Sequence, residues 1–444
     1  MSETKEMKRT LTLLPVVLFG FSFMALGTVF STYGVASQIS HGMVAGSYIL
    51  ATIVMLFTAY SYGQMAKVFP IAGSAYTYTQ KAINPHVGFL VGWSLLMDYL
   101  LIPLVNYLLF GIFYHAAFPN IPSSVWILSM LILVTIVNIR GVKLANQANI
   151  FITIFGVAFI ILFCVLAIQA ILHGEGTGQL LTSLPFYNPQ ESFSFIIAGA
   201  ALLCFSFLGF DSVTTFSEET IQPERNIPRA VFIITIVGGL IFTTVSYIAH
   251  NVWPDYMSFE NPDSASHEII LLVSGKFVDT FFLVGTAFGI FGSAMASQAS
   301  AARVLYAMGR DGQLPKKFFG SLHSKFQTPV NNILVISLIS LLALVVSLTL
   351  VASFINFGAF LAFTFVNLSV IGHYFIRKRQ RTIKGTFLYL ILPVIGAVLD
   401  IWLLLSLDIH SKILGSIWVV VGVIYLTYIT KGFKMRPPEM ELSA

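Results

Sequence analysis

An acid inside an apolar run is the side chain of this 444-residue chain best placed to do chemistry. Asp211 stands in FSFLGFDSVTTFSEE, Phe205 to Glu219, at the end of an apolar stretch that begins near Phe195. Gly209 and a series of Ser and Thr residues surround it, where a bilayer-crossing helix would keep every backbone amide paired. Insertion scales put an ionised carboxylate at a helix centre at roughly 2.5–3.5 kcal/mol, so an acid at this depth points to a functional site. Unwound backbone survives at that depth only where it lines a cavity within the protein. The expectation is a discontinuous helix facing a substrate.

A second acid lies at comparable depth. GFLVGWSLLMDYLL, from Gly88, places Asp98 near mid-bilayer, with Trp93 and Tyr99 beside it as candidate aromatic walls. Either the carboxylate serves the same cavity, or it is hydrogen-bonded to neighbouring hydroxyls for packing alone. A second polar break is visible in FGFSFMALGTVFSTYG, Phe19 to Gly34, where Ser22, Gly27, Thr28, Ser31 and Thr32 interrupt an apolar span. FSFMALG at Phe21 echoes FSFLGF at Phe205. Small residues at these places also suit plain close packing. Matching Gly-interrupted segments in corresponding spans, however, point to an inverted repeat with its site at the midplane.

The elements that must hold these residues follow from composition. With 57% hydrophobic and 10% charged residues and a mean hydropathy of +0.85, the chain is far from the soluble class, whose charged fraction is near ~25%. Apolar runs long enough to span recur twelve times, near 11–37, 43–66, 87–117, 123–139, 149–172, 194–216, 230–252, 277–304, 332–350, 353–375, 387–407 and 412–430. The expected fold is an all-α polytopic membrane protein of twelve transmembrane helices and one domain over 1–444. Two inverted five-helix repeats, 11–172 and 194–375, are followed by two peripheral helices within 387–430. The run after Lys5, Lys8 and Arg9 is too long for a signal-peptide core and is expected to stay as the first helix.

Net charge is +5, but its distribution argues against nucleic acid. With the N-terminus inside, 22 of the 24 Lys and Arg fall in cytoplasmic segments, only Lys276 and Lys412 lying outside. Both termini are therefore expected in the cytoplasm. The cluster Arg377, Lys378, Arg379, Arg381 and Lys384 reads as a topology anchor at lipid headgroups. In SEETIQPERNIPRA, Ser217 to Ala230, Glu218, Glu219 and Arg225 are expected to form a cytoplasmic gate of ion pairs, each weak enough to toggle. Ala75 to Gln80 is either a further gate or a solvated connector. Asp400, inside the eleventh span, has no partner nameable from sequence. Cys164 and Cys204 read as small core residues, and neither a metal site nor a cofactor is expected. An enzyme is disfavoured because HExxH and GxSxG are absent and no His, Cys and acid cluster has ligand spacing.

FPIAGSAYTY at Phe69, FSFLGFDSVTTFSEE at Phe205, PERNIPRA at Pro223 and ARVLYAMGRDGQLP at Ala302 resemble signatures of the amino acid, polyamine and organocation permeases. Four motifs in order cover nearly the whole chain. Among subfamilies, GSAYTYTQKAINPHVGFLVGW (Gly73 to Trp93) and the Phe205 segment look most similar to bacterial putrescine importers. The resemblance implies a LeuT-like fold, alternating access and proton-coupled uptake at the bacterial cytoplasmic membrane. Members that bind α-amino acids present a small-Gly nest in helix one for the substrate carboxylate. Here the stretch is Leu26, Gly27, Thr28, with a single Gly, which favours an amine without a carboxylate. A coupling Lys in helix five, present in some relatives, has no counterpart in NIFITIFGV, Asn149 to Val157.

A diamine carries an ammonium group at each end of an apolar spacer. Its site should offer two acceptors with aromatic faces between them. Asp211 and Asp98 are the candidate acceptors. Phe205, Phe207, Phe210, Trp93 and Tyr99 are candidate walls, and carbonyls freed at Gly27 and Gly209 take the remaining ammonium protons. By analogy with the family, Asp211 is also the expected proton-coupling group. The expected partners are a small amine or amino acid, protons and the lipid bilayer. The nearest rival is an importer of a small neutral or cationic amino acid whose carboxylate meets Gly27, Thr28 and Ser31. A channel or sensor on the same scaffold would show no substrate-driven counterflow.

Overall fold

The computed structural model describes residues 9–70, 74–140, 145–217, 219–310, 314–326 and 328–437. Two short helices, α1 (Leu13–Met24) and α2 (Thr28–Ile39), form a pair bent by 45°. They are followed by α3 (Val44–Val68), the short α4 (Ser74–Ala82), α5 (Pro85–Ala117), α6 (Ser123–Arg140) and α7 (Ala145–Leu172). Next, α8 (Phe193–Leu203) runs into two 3-10 turns, Cys204–Phe207 and Ser212–Phe216, ahead of α9 (Pro223–Val252). The long α10 (Ala265–Arg310) is broken at Gly275, φ 69°, and its membrane-crossing part is Phe281–Tyr306. After the single turn α11 (Lys316–Phe319) come α12 (Val330–Ser340), α13 (Leu348–Val370), the short α14 (Ile383–Thr386), α15 (Leu392–Ser406) and α16 (Ile409–Ile429).

Among the described residues, ten helices are long and apolar enough to cross a membrane, and the bent pair α1–α2 makes an eleventh. The apolar run expected near 332–350 forms a shorter helix, Val330–Leu344. It ends early because the chain turns in 3-10 form over Leu341–Leu344 and Ser347 then caps α13, its hydroxyl accepting from the Leu350 amide. A hydroxyl that satisfies an orphan amide starts a helix even within an apolar run.

Between lipid-facing helices, association rests on close packing and polar contacts and not on the hydrophobic effect. α1, α3, α8 and α9 form one packed group, α5, α6, α10 and α12 another, and α13 touches both through α3 and α5. α16 joins α5 through a reciprocal pair: Trp93 and Trp418 stack at 4.9 Å, and each indole N–H donates to the other's carbonyl at 2.9 Å. The segment Ala75 to Gln80 is not a solvated connector, because Ala75, Tyr76, Thr77, Tyr78 and Thr79 are buried where α4 packs on α5 and α13. Gly73, in the same motif, lies outside the described residues. In the basic cluster, Arg377 donates to the carbonyls of Lys81 (2.6 Å) and Ile83 (3.1 Å), and the Arg381 guanidinium lies over the Phe375 ring.

Candidate functional site

The site is built where the two broken spans cross. α1 ends at Ala25, which takes the left-handed conformation (φ 46°), while Gly27 keeps helical angles (φ −69°). The Thr28 amide and hydroxyl both donate to the Ala25 carbonyl, at 2.8 and 2.6 Å. In the other span Gly209 is left-handed, φ 104°, and a Cβ there would lie 3.1 Å from the Met24 nitrogen and the Phe23 carbonyl carbon. Only a glycine allows both that backbone angle and that approach.

The hydroxyl residues around Asp211 hold the unwound chain together. Ser212, Thr214 and Thr215 donate to the carbonyls of Gly209, Asp211 and Ser212 at 2.6, 2.7 and 2.6 Å. Asn356 of α13 reaches across to the end of α8, donating to the carbonyls of Ala201 (2.9 Å) and Leu202 (3.0 Å). Buried carbonyls at a helix end need such partners. The carbonyls of Gly27 and Gly209, expected free for a substrate, already accept from the Phe30 and Ser212 amides at 3.0 and 3.1 Å. The Gly27 carbonyl retains one lone pair, whereas the Gly209 carbonyl accepts from the Ser212 hydroxyl as well and has none free.

Asp211 opens the second 3-10 turn, and its Oδ2 accepts from Tyr62 and Ser74, both at 3.4 Å. These are long, weak contacts. Asp98 and Asp211 lie within electrostatic reach of each other, and Tyr99 is within reach of both. All three are partly exposed. The Asp98 Oδ1 atom is buried without a hydrogen-bond partner. A sealed acceptor without a donor calls for a ligand or water to complete it.

Other expected residues are elsewhere. Phe205, Phe207 and Phe210 are buried in the core behind the break. Phe207 sits edge-on to Phe242, and Phe210 packs against Tyr62 and Phe363. Trp93 faces α16. Beside the break, Phe19 and Phe216 are partly exposed, their rings 4.3 Å apart and edge-on. Tyr62 and Ser74 were missed from sequence, although the hydroxyl-bearing TAYSYG inside an apolar run and the Ser of GSAY were visible signals.

The two ends of the broken pair are each tied. At one end, the amides of Thr10 and Leu11 donate to the Glu219 carbonyl (2.8 and 3.0 Å), and the Ile221 amide donates to Leu11 (2.8 Å). At the other, the His41 ring stacks on Phe195 at 3.6 Å and meets Glu191 at 2.9 Å. Arg225 is exposed, Glu219 engages through its backbone, and Glu218 lies outside the described residues. No group of three His, Cys, Asp or Glu residues able to hold a metal occurs among the described residues.

Residues 17–430 match the family model described as amino acid permease. The chain is 43% identical to a low-affinity putrescine importer of Escherichia coli K12, over 98% of this chain and 97% of that protein. It is 27% identical to a methylthioribose transporter of Bacillus subtilis, over 97% and 95% of the two chains. It is also 27% identical to a branched-chain amino acid permease of Lactococcus lactis, over 92% and 93%.

Proposed function

The chain belongs to the amino acid permease family, and on that premise we propose that it is a secondary active importer of a polyamine, putrescine, by proton symport. The observation that carries this reading is the pair of carboxyl groups, Asp98 and Asp211, both partly exposed and within electrostatic reach of each other, with Asp211 at the crossing of two broken spans. With no cation of the protein paired to either among the described residues, a dication supplies the charge that two neighbouring acids lack. One ammonium end meets Asp211 with Ser74 and Tyr62, and the other meets the open Oδ1 of Asp98. Tyr99, Phe19 and Phe216 flank the methylene spacer. Thr28 and Gly209 shape the break. In a symport the coupled proton travels inward with the substrate, so Asp211 accepts the ammonium group through one carboxyl oxygen while the other carries the proton, and both leave together on the inner side. The hydroxyls of Tyr62 and Ser74 serve the loaded and the empty state.

The wider frame is that of the family: two inverted halves, 11–172 and 194–375, rock about the crossing, with 387–430 outside. The membrane is the bacterial cytoplasmic membrane, with both termini inside. Glu218, Glu219 and Arg225 form the inner gate in the state in which the bridge at Leu11 has opened. The rival, an α-amino acid held at Gly27, Thr28 and Ser31, finds the Thr28 and Phe30 amides already engaged. Uptake of labelled putrescine into liposomes, with excess spermidine, lysine, serine or glutamate, tests the reading. Block by amines alone is expected. Block by serine or lysine, with no putrescine accumulation, would replace the diamine with an amino acid.

A further inference from the structure

A third membrane acid belongs to no part of that mechanism. Asp400, on α15, is fully buried, and Thr58 of α3 donates to its two oxygens at 3.2 and 3.1 Å. Asn367 of α13 donates its amide to Oδ2 at 2.9 Å, and Ser61 of α3 donates to the Asn367 carbonyl oxygen. Three helices therefore meet in one closed set of hydrogen bonds. α15 comes this close because Gly396, one turn before Asp400, faces Asn367 at a distance that leaves no room for a Cβ.

No charged group of the described residues acts on Asp400, from its own helix or from α3, α13 or the first 3-10 turn. The titratable neighbour is the buried thiol of Cys204. A carboxylate sealed from water and from every cation neutralises instead of staying charged. The neutral acid keeps all its contacts, accepting from Asn367 and exchanging one hydrogen bond with the Thr58 hydroxyl, which both donates and accepts.

The joint shares its walls with the proposed substrate site. Thr58 and Tyr62 lie one turn apart on α3, on the same face, and Tyr62 donates to Asp211. Asn367 lies one turn beyond Phe363 and donates to its carbonyl at 3.2 Å. The Phe363 ring is edge-on to Tyr62 and 5.4 Å from Phe210, the residue before Asp211. We propose that Asp400 holds a resident proton, retained throughout the transport cycle, and that the joint it closes makes it a positioning residue for Tyr62 and Phe363 against Asp211. The positioning part rests on the functional reading above, whereas the resident proton does not.

The test is an infrared difference spectrum of the full chain in lipid at neutral pH, wild type against Asp400→Asn, with uptake of labelled putrescine measured across pH on the same samples. A protonated-carboxyl carbonyl band lost in Asp400→Asn is expected, together with an unchanged pH profile in that variant. Thr58→Val removes a donor but leaves the acid. Its band should persist at higher frequency, with KM for putrescine raised. Ionised-carboxylate bands at Asp400 would overturn the proposal, as would a folded Asp400→Asn protein with a shifted pH profile. If Asp400→Asn does not fold, absence of any carboxyl-band shift in Thr58→Val overturns it as well. A wild-type protein that carries no putrescine would overturn the functional reading while leaving the infrared result to decide the proton.

Discussion

Asp211 and Asp400 are the same residue type inside membrane spans, yet the fold treats them oppositely. Asp211 is partly exposed, and its contacts from Tyr62 and Ser74 are both 3.4 Å long. Asp400 is sealed, with donors at 2.9 to 3.2 Å from three side-chain contacts. A loosely held acid beside space can change partner, whereas an acid surrounded by closed donors is part of the framework. Depth in the bilayer alone does not separate the two roles. What separates them is whether the donors around the carboxyl are already satisfied elsewhere and whether a ligand has room to replace them.

The comparison can be broken most decisively at Asp211. Asp211→Asn should lower putrescine uptake roughly 10- to 100-fold, since hydrogen bonds to charged groups contribute about 1.5–3 kcal/mol. Initial rates of uptake check this, and full accumulation with an unchanged pH profile would remove Asp211 from the mechanism. Gly209→Ala should cost about 1–3 kcal/mol of stability, the scale of a side chain forced into a left-handed angle. Gly27→Ala should be near neutral, because Gly27 is helical and nothing lies within 4 Å of its would-be Cβ. Thermal unfolding in detergent separates these variants, and equal losses would mean that Gly27 carries strain after all. Asp98→Asn should weaken putrescine by about 1 kcal/mol, roughly fivefold, while leaving competition by a monoamine of equal length unchanged. A matching loss for the monoamine would place Asp98 outside the second ammonium subsite. At the small end, Asp400→Asn should leave the pH profile of uptake where it was, and a shifted profile would merge the two acids into one proton-carrying network.

The spans were legible from sequence because a bilayer demands about 20 apolar residues in a row and permits few substitutes. The break near Asp211 was legible for the same reason, since Gly209 and the Ser and Thr residues violate that demand together. Side-chain direction after the break was not. Once α8 passes into 3-10 turns, helical periodicity no longer tells which way Phe207 and Phe210 point, and the fold turns both into the core. Trp93 is turned away by a partner 325 residues distant, Trp418, and Asp400 finds Thr58 342 residues away. Neither pairing leaves a local trace. The left-handed residue of span one is Ala25 and not Gly27, which the preference of glycine for that conformation does not foretell. Burial of Ala75 to Thr79 was hidden by their polar composition, which reads as solvated until α5 and α13 cover it.

The most direct measurement follows lumenal pH in liposomes carrying the wild type, Asp211→Asn or Asp400→Asn when labelled putrescine is added outside. Lumenal acidification accompanying uptake in the wild type and in Asp400→Asn, and lost in Asp211→Asn, is the predicted result. Acidification that survives in Asp211→Asn and disappears in Asp400→Asn would contradict it, moving the coupled proton from the open acid to the sealed one.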